Sequence, residues 1–288
     1  MKPLNLILSA LVALSLAAQA EASTLYASTA AGAAGELFII NKATGAVIQD
    51  VGPLNDVAGG NYSVTGLAFH PTTGVLYGST GNSGAANTQA RLLIINPATA
   101  AVTVVGSFNA GPTNSSGTPT TMADIDFDSA GNLYGVASIG GPNLYSINTA
   151  TAQATLVGPN TVSTSTTGGG LAISSGGVFY GTPTSSRFGT YNSATGAFTN
   201  ISNPAKPVGG GYGALAYDGS VLYGLNVGSG SPPPTHIVTI DPATGTVTDI
   251  AASANSLDAI AFRVPEPTAL ALLMAPLTAL LKRIRRRK

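Results

Sequence analysis

A chain of 288 residues is long enough to bury a substantial core, yet only 8% of it is charged while 36 residues are Gly, a composition suited to short strands joined by tight turns. Cys and Trp are both absent, which excludes disulfide frameworks and thiolate chemistry. The formal charge of zero conceals an asymmetry: six of the 12 basic residues fall in the last seven positions, whereas between 23 and 263 five basic residues stand against ten acidic ones. A body that is net −5 argues against nucleic acid as a partner.

The chain starts with Met1-Lys-Pro, continues through an uncharged apolar run over 4–18, and reaches Ala18-Gln-Ala20 and Ala20-Glu-Ala22. A basic start, a short apolar stretch and small-x-small exits read as a secretory signal peptide over 1–22, so signal peptidase is an expected processing partner.

From 23 to 263 one unit recurs. Val64-Thr-Gly-Leu-Ala-Phe69 is an apolar strand that turns at His70-Pro-Thr-Thr-Gly74 and returns through Leu76-Tyr77. A second hairpin follows, with Asn96-Pro-Ala-Thr-Ala100 as its turn. The repeated tyrosines Tyr26, Tyr77, Tyr134, Tyr180 and Tyr223 lie 51, 57, 46 and 43 residues apart, a spacing that fits one four-stranded sheet per repeat. Their expected role is packing between sheets. The turn of the second hairpin appears five times: Asn41-Lys-Ala-Thr-Gly45, Asn96-Pro-Ala-Thr-Ala100, Asn148-Thr-Ala-Thr-Ala152, Asn192-Ser-Ala-Thr-Gly196 and Asp241-Pro-Ala-Thr-Gly245. Asn or Asp opens it by bonding its own backbone, and Gly closes it at positive φ, so Ala100 and Ala152 predict strain.

The first repeat lacks its leading strand, and Asp258-Ala-Ile-Ala-Phe262 supplies the missing piece from the other end. Splitting a repeat between termini is what a closed ring requires. The expected fold is therefore all-β, a five-bladed β-propeller over 23–263 closed by its C-terminal strand; the alternative is a two-sheet β-sandwich of the same hairpins.

Strand counting places the short turns inside the hairpins at one end of such a ring. At the other end fall the long connections 80–90, 107–121, 159–168, 202–210 and 226–235, and that face is the expected binding surface. Its Gly, Ser, Thr and Asn suit a carbohydrate, and they equally suit plain solvated spacers. Asp124-Ile-Asp-Phe-Asp128 breaks the repeat by placing carboxylates where the second repeat has Gly66, Ala68 and His70. Asp124 and Asp126, with Asp258 near the channel mouth, form a candidate Ca²⁺ set, against the plainer reading of a polar, water-filled channel. For His70 and His236 a turn or surface role is expected. No catalytic motif is present, so no catalytic residue is assigned and no organic cofactor is expected.

After Arg263 come Val264-Pro-Glu-Pro267, an uncharged apolar stretch over 268–281, and Lys282-Arg-Ile-Arg-Arg-Arg-Lys288. The stretch is short for a spanning helix, which takes about twenty residues, but its flanks extend it; Arg283, Arg285, Arg286 and Arg287 would act as the membrane stop and stay cytoplasmic. This tail resembles the PEP-CTERM sorting signal of Gram-negative bacteria, on Pro265, Glu266 and Pro267, the apolar segment and the terminal arginines. The resemblance implies recognition by an exosortase, a transient inner-membrane intermediate, and release or attachment at the cell surface. It also implies an exopolysaccharide or biofilm context, and the body is similar to uncharacterised propeller domains of such proteins. The functional expectation is an exported, non-enzymatic surface or matrix protein binding polysaccharide or another surface protein. The alternatives are a hydrolase or lactonase-like enzyme with a metal at the channel mouth, or a scaffold whose tail is never cut.

Overall fold

Each expected hairpin forms. The computed structural model describes residues 23–30, 32–81, 88–108, 121–137, 143–158 and 169–263, so the leader, the sorting motif, the apolar segment and the basic end lie outside the described residues. Strands β1 (Thr24–Thr29), β2 (Glu36–Ile40) and β3 (Val47–Pro53) begin the first blade. The second blade is β4 (Val64–Phe69), β5 (Leu76–Thr80), β6 (Arg91–Ile95) and β7 (Val102–Ser107). The third is β8 (Met122–Phe127), β9 (Leu133–Ala137), β10 (Leu144–Ile147) and β11 (Ala154–Gly158). The fourth is β12 (Gly170–Ile173), β13 (Phe179–Thr184), β14 (Arg187–Tyr191) and β15 (Phe198–Ser202). The fifth is β16 (Gly211–Tyr217), β17 (Leu222–Val227), β18 (Thr235–Ile240) and β19 (Val247–Ala252), after which β20 (Leu257–Arg263) returns to the first blade.

Five four-stranded antiparallel sheets result, and the first is ordered β20-β1-β2-β3. Thr24 pairs with Arg263 and the register runs to Ser28 opposite Ala259, with a bulge before Thr29 meets Leu257. The inner strands β20, β4, β8, β12 and β16 each pack on the next, and β16 returns to β20, which makes the closed five-bladed propeller. Small residues let those backbones meet: a Cβ on Gly66 would fall 2.7 Å from the Cα of Asp124.

The cores lie between blades. Five buried clusters form, each drawn from two neighbouring sheets; Tyr26, Leu37, Leu67 and Leu93, for instance, join the first blade to the second. The tyrosines do the expected packing. Tyr26 meets Phe69 of the following blade at 5.3 Å between ring centroids, Tyr77 meets Phe127 at 5.4 Å, Tyr134 meets Phe179 at 4.8 Å and Tyr223 meets Phe262 at 5.0 Å. Tyr180 instead stacks on Phe188 of its own sheet. At the seam Lys42 reaches Asp218 at 2.7 Å while its ammonium lies over the rings of Tyr223 and Phe262, a cation–π contact that ties the first and last blades.

The shared turn behaves as its chemistry predicts. The side chains of Asn41, Asn96, Asn148, Asn192 and Asp241 each accept the amide two residues on, at 2.8–2.9 Å. Ala100 and Ala152 take the fifth position at φ 57° and 63°, the left-handed region Gly occupies elsewhere, at a strain of roughly 1 kcal/mol each. The turn has a second duty that no local pattern reveals: its fifth residue presses on the end of the preceding blade's outer strand. A Cβ on Gly196 would lie 2.5 Å from the Gly158 carbonyl oxygen, and one on Gly158 would lie 2.0 Å from that of Thr195. Every outer strand is also bulged against its neighbour, which spoils it as a template for edge pairing with another chain.

If the seam closes the ring, Phe262→Ala, which empties a ring site buried under Lys42 and Tyr223, should cost about 3 kcal/mol in urea unfolding. Val57→Ala, at a fully exposed valine, should move the midpoint by no more than about 0.5 kcal/mol.

Candidate functional site

The inner strands of a propeller turn one backbone edge toward the channel, where its N–H groups need acceptors. Asp124 and Asp126 supply them. Asp124 is fully buried; its Oδ1 accepts the Ile125 amide at 2.9 Å, and its Oδ2 accepts Leu171 at 2.8 Å and Leu215 at 3.0 Å. One carboxylate thus holds inner strands of three blades, and its reach to β16 spans the centre of the ring. Asp126 repeats the motif two residues on, accepting Phe127 at 2.8 Å and Ile173 at 2.6 Å. Because side chains alternate along a strand, residues 124 and 126 meet alternate amides of β12, at 171 and 173.

Asp128 does not join them. It caps the turn to β9, taking Ala130 at 3.0 Å and Asn132 at 2.8 Å. Asp258 sits on β20 beside Gly213 of β16, where a Cβ would come within 2.3 Å of its Oδ1. In place of the expected Ca²⁺ set of Asp124, Asp126 and Asp258, the structure gives two side chains that accept five backbone amides and a third that lies beside Gly213. No group of three His, Asp or Glu able to hold a metal ion exists among the described residues.

Burial dominates the electrostatics. It drives Asp124 well above the usual carboxyl range although its three amide bonds pull the other way. It lifts Asp126 to about 7 against two amide bonds, and Asp258 to about 7 with nothing opposing it. The two histidines take the modest roles expected. His70 Nδ1 accepts the amides of Thr72 and Thr73, standing in for the Asp of other first turns, and His236 pairs with Asp249 at 2.9 Å on the surface.

Of the long connections, 82–87, 109–120 and 159–168 lie outside the described residues. Those described are braced by side chains that strand patterns do not single out. Asn226 donates to the carbonyls of Gly209 and Gly211 and accepts Val208, and Asn61 links Gly35 to Asn55. Thr29 and Thr80 stand three residues past the repeated tyrosine, as Asn226 does, and each accepts an amide of the next strand; this polar residue late in the tyrosine strand was the available signal.

Ring closure, inter-blade cores and a centre pinned by side chains define the protein as a five-bladed β-propeller. Residues 48–231 match a repeat of unknown function (DUF6923), from the first blade's outer strand into the fifth blade, and the chain belongs to that family. No curated protein matches it. Among solved structures the chain is similar to a structural genomics protein of unknown function from Bacteroides thetaiotaomicron VPI-5482, at 13% identity and a TM-score of 0.45 over 79% of this chain. It spans 64% of that chain's length. Among the described residues no helix is long and apolar enough to cross a membrane, and the apolar stretch 268–281 is not among them.

Two outcomes are expected. Asp124→Ala orphans three buried amides and should destabilise the ring by about 3–5 kcal/mol in urea unfolding. For Asp126 and Asp258 the native state keeps its proton to about pH 7, whereas an unfolded carboxyl releases it near 4. The folded state thus binds more protons in that window, and stability should fall as pH rises from about 4 to about 7 and then level off. Melting temperatures across that range should show Asp258→Asn losing less than the native chain and exceeding it at pH 8.

Proposed function

We propose that this chain is an exported, non-enzymatic surface or matrix protein whose ring binds polysaccharide or a neighbouring surface protein. The observation that carries the reading is the pair of ends: a basic start, an uncharged apolar run and small-x-small exits over 1–22, and a tail joining Pro265-Glu266-Pro267, an apolar segment and a basic cluster. Signal peptidase removes the first, and an exosortase acts on the second while the chain is held in the inner membrane. The protein then reaches the cell surface or the medium of a Gram-negative cell that makes exopolysaccharide. Two features of the ring support this. It is an edge-protected scaffold with few charges, and Asp124 and Asp126 are committed to backbone amides, which disfavours the hydrolase or lactonase-like alternative.

Intact mass of the protein recovered from producing cells should lack the residues through Ala22 and those following the Pro265-Glu-Pro motif. A mass that retains the tail would replace sorting with permanent tethering. The same mature protein should be retained by the producer's own immobilised exopolysaccharide, and passage without retention would count against the binding role.

A further inference from the structure

At the short-turn end of the third blade an open groove of about 480 Å³ crosses β9, β10 and β11, within the size range of small-ligand sites. Buried Leu133 and Ile147 belong to its lining, together with Asn132, Tyr134, Ser146, Gln153 and Thr155. Register explains the convergence: Ser146 pairs with Tyr134 on one side and Thr155 on the other, forming a single cross-strand row. Asn132 and Gln153 stand at the turn ends of the same strands.

The repeats provide an internal control. Asn132 occupies the position of Val75, Val178 and Val221 in the second, fourth and fifth blades. Ser146 stands where the first two blades have Ile39 and Ile94 and the last two have Thr190 and Thr239, and Gln153 replaces Ala46, Ala101, Ala197 and Thr246. Asn132 and Gln153 each put a hydrogen-bonding amide where most sister blades have Val or Ala, and both meet the hydroxyl of Ser146 in one groove. The side chains of Gln153 and Thr155 and the hydroxyl of Tyr134 have no partner among the described residues, whereas the same turn elsewhere is closed by Ala or Thr. No charged side chain lines the groove. Nearby Asp128 is occupied by the amides of Ala130 and Asn132 and by the Asn132 side chain.

We propose that this groove, on the end of the ring opposite the long loops, binds a neutral sugar chain. The half-buried ring of Tyr134, edge-on to Phe179, offers an apolar platform for a pyranose face. The amides of Asn132 and Gln153 and the hydroxyls of Ser146 and Thr155 provide both donors and acceptors, as sugar hydroxyls require. A negatively charged body and the carboxylate of Asp128 disfavour an anionic polymer. The inference rests on the polysaccharide half of the proposed function and narrows it to one site and one ligand class.

Titration calorimetry of the full mature protein with cellotetraose, maltotetraose and tetra-N-acetylchitotetraose, alongside the producer's purified polysaccharide, tests it. At least one neutral tetrasaccharide should bind. Asn132→Val with Gln153→Ala installs the residues of sister blades and should weaken that binding tenfold or more while moving the melting temperature by about 2 °C at most. Gln153→Ala alone, at an exposed side chain, should weaken it severalfold and guards against a folding defect in the double variant. Binding unchanged in both variants would overturn the groove and leave the proposed function standing. Binding of an anionic polymer alone would overturn the neutral-chain inference, and no binding of any polymer would overturn both the groove and the polysaccharide half of the proposed function.

Discussion

The antiparallel pairing of β20 with β1 is the constraint on which the rest of this molecule depends. Each core lies between two sheets rather than inside one, so a blade without two neighbours leaves an apolar face exposed to water. An open stack of five repeats would leave two such faces and an unpaired strand edge. Joining the ends turns them into a fifth interface equal to the others. Lys42, Asp218, Tyr223 and Phe262 meet there, with the charge screened from neither its carboxylate nor the two rings. The edges that cannot be removed, at the outer strands, are bulged in every blade.

A repeat protein specifies its fold by what its copies share and its individuality by where they differ. Gly66, Gly170, Ala214 and Ala259 share a position of the inner strands that calls only for smallness, because neighbouring backbones nearly touch. Asp124 breaks that rule and turns the freed space into a polar clamp. A carboxyl group suits the place because one side chain can accept three amides from three strands, whereas an apolar residue would leave all three without that acceptor. The cost is a group that prefers to hold its proton, and that couples the stability of the ring to pH. The third blade departs again at Asn132 and Gln153, this time on the outside. Both sets of departures belong to one blade, yet one is turned inward to bind its own chain and the other faces solvent.

The sequence by itself determined the five turns, the inter-blade packing of four of the five repeated tyrosines and the split first blade. All three are carried by local chemistry: an Asn or Asp that bonds the amide two residues on, a period of two along each strand, and a repeat whose missing element sits at the opposite end. The strain at Ala100 and Ala152 was legible for the same reason, since left-handed φ is imposed by the turn alone. Only the tertiary structure decided what the carboxylates do, because the partners of Asp124 lie 47 and 91 residues away and are backbone amides, which leave no mark in a sequence. The groove was hidden likewise, as Asn132, Ser146 and Gln153 become neighbours only when strand register is fixed. Alternation and turn preference act over a few residues and survive being read in one dimension. Which group satisfies a buried amide depends on distances across the ring, and those exist only once the ring has closed.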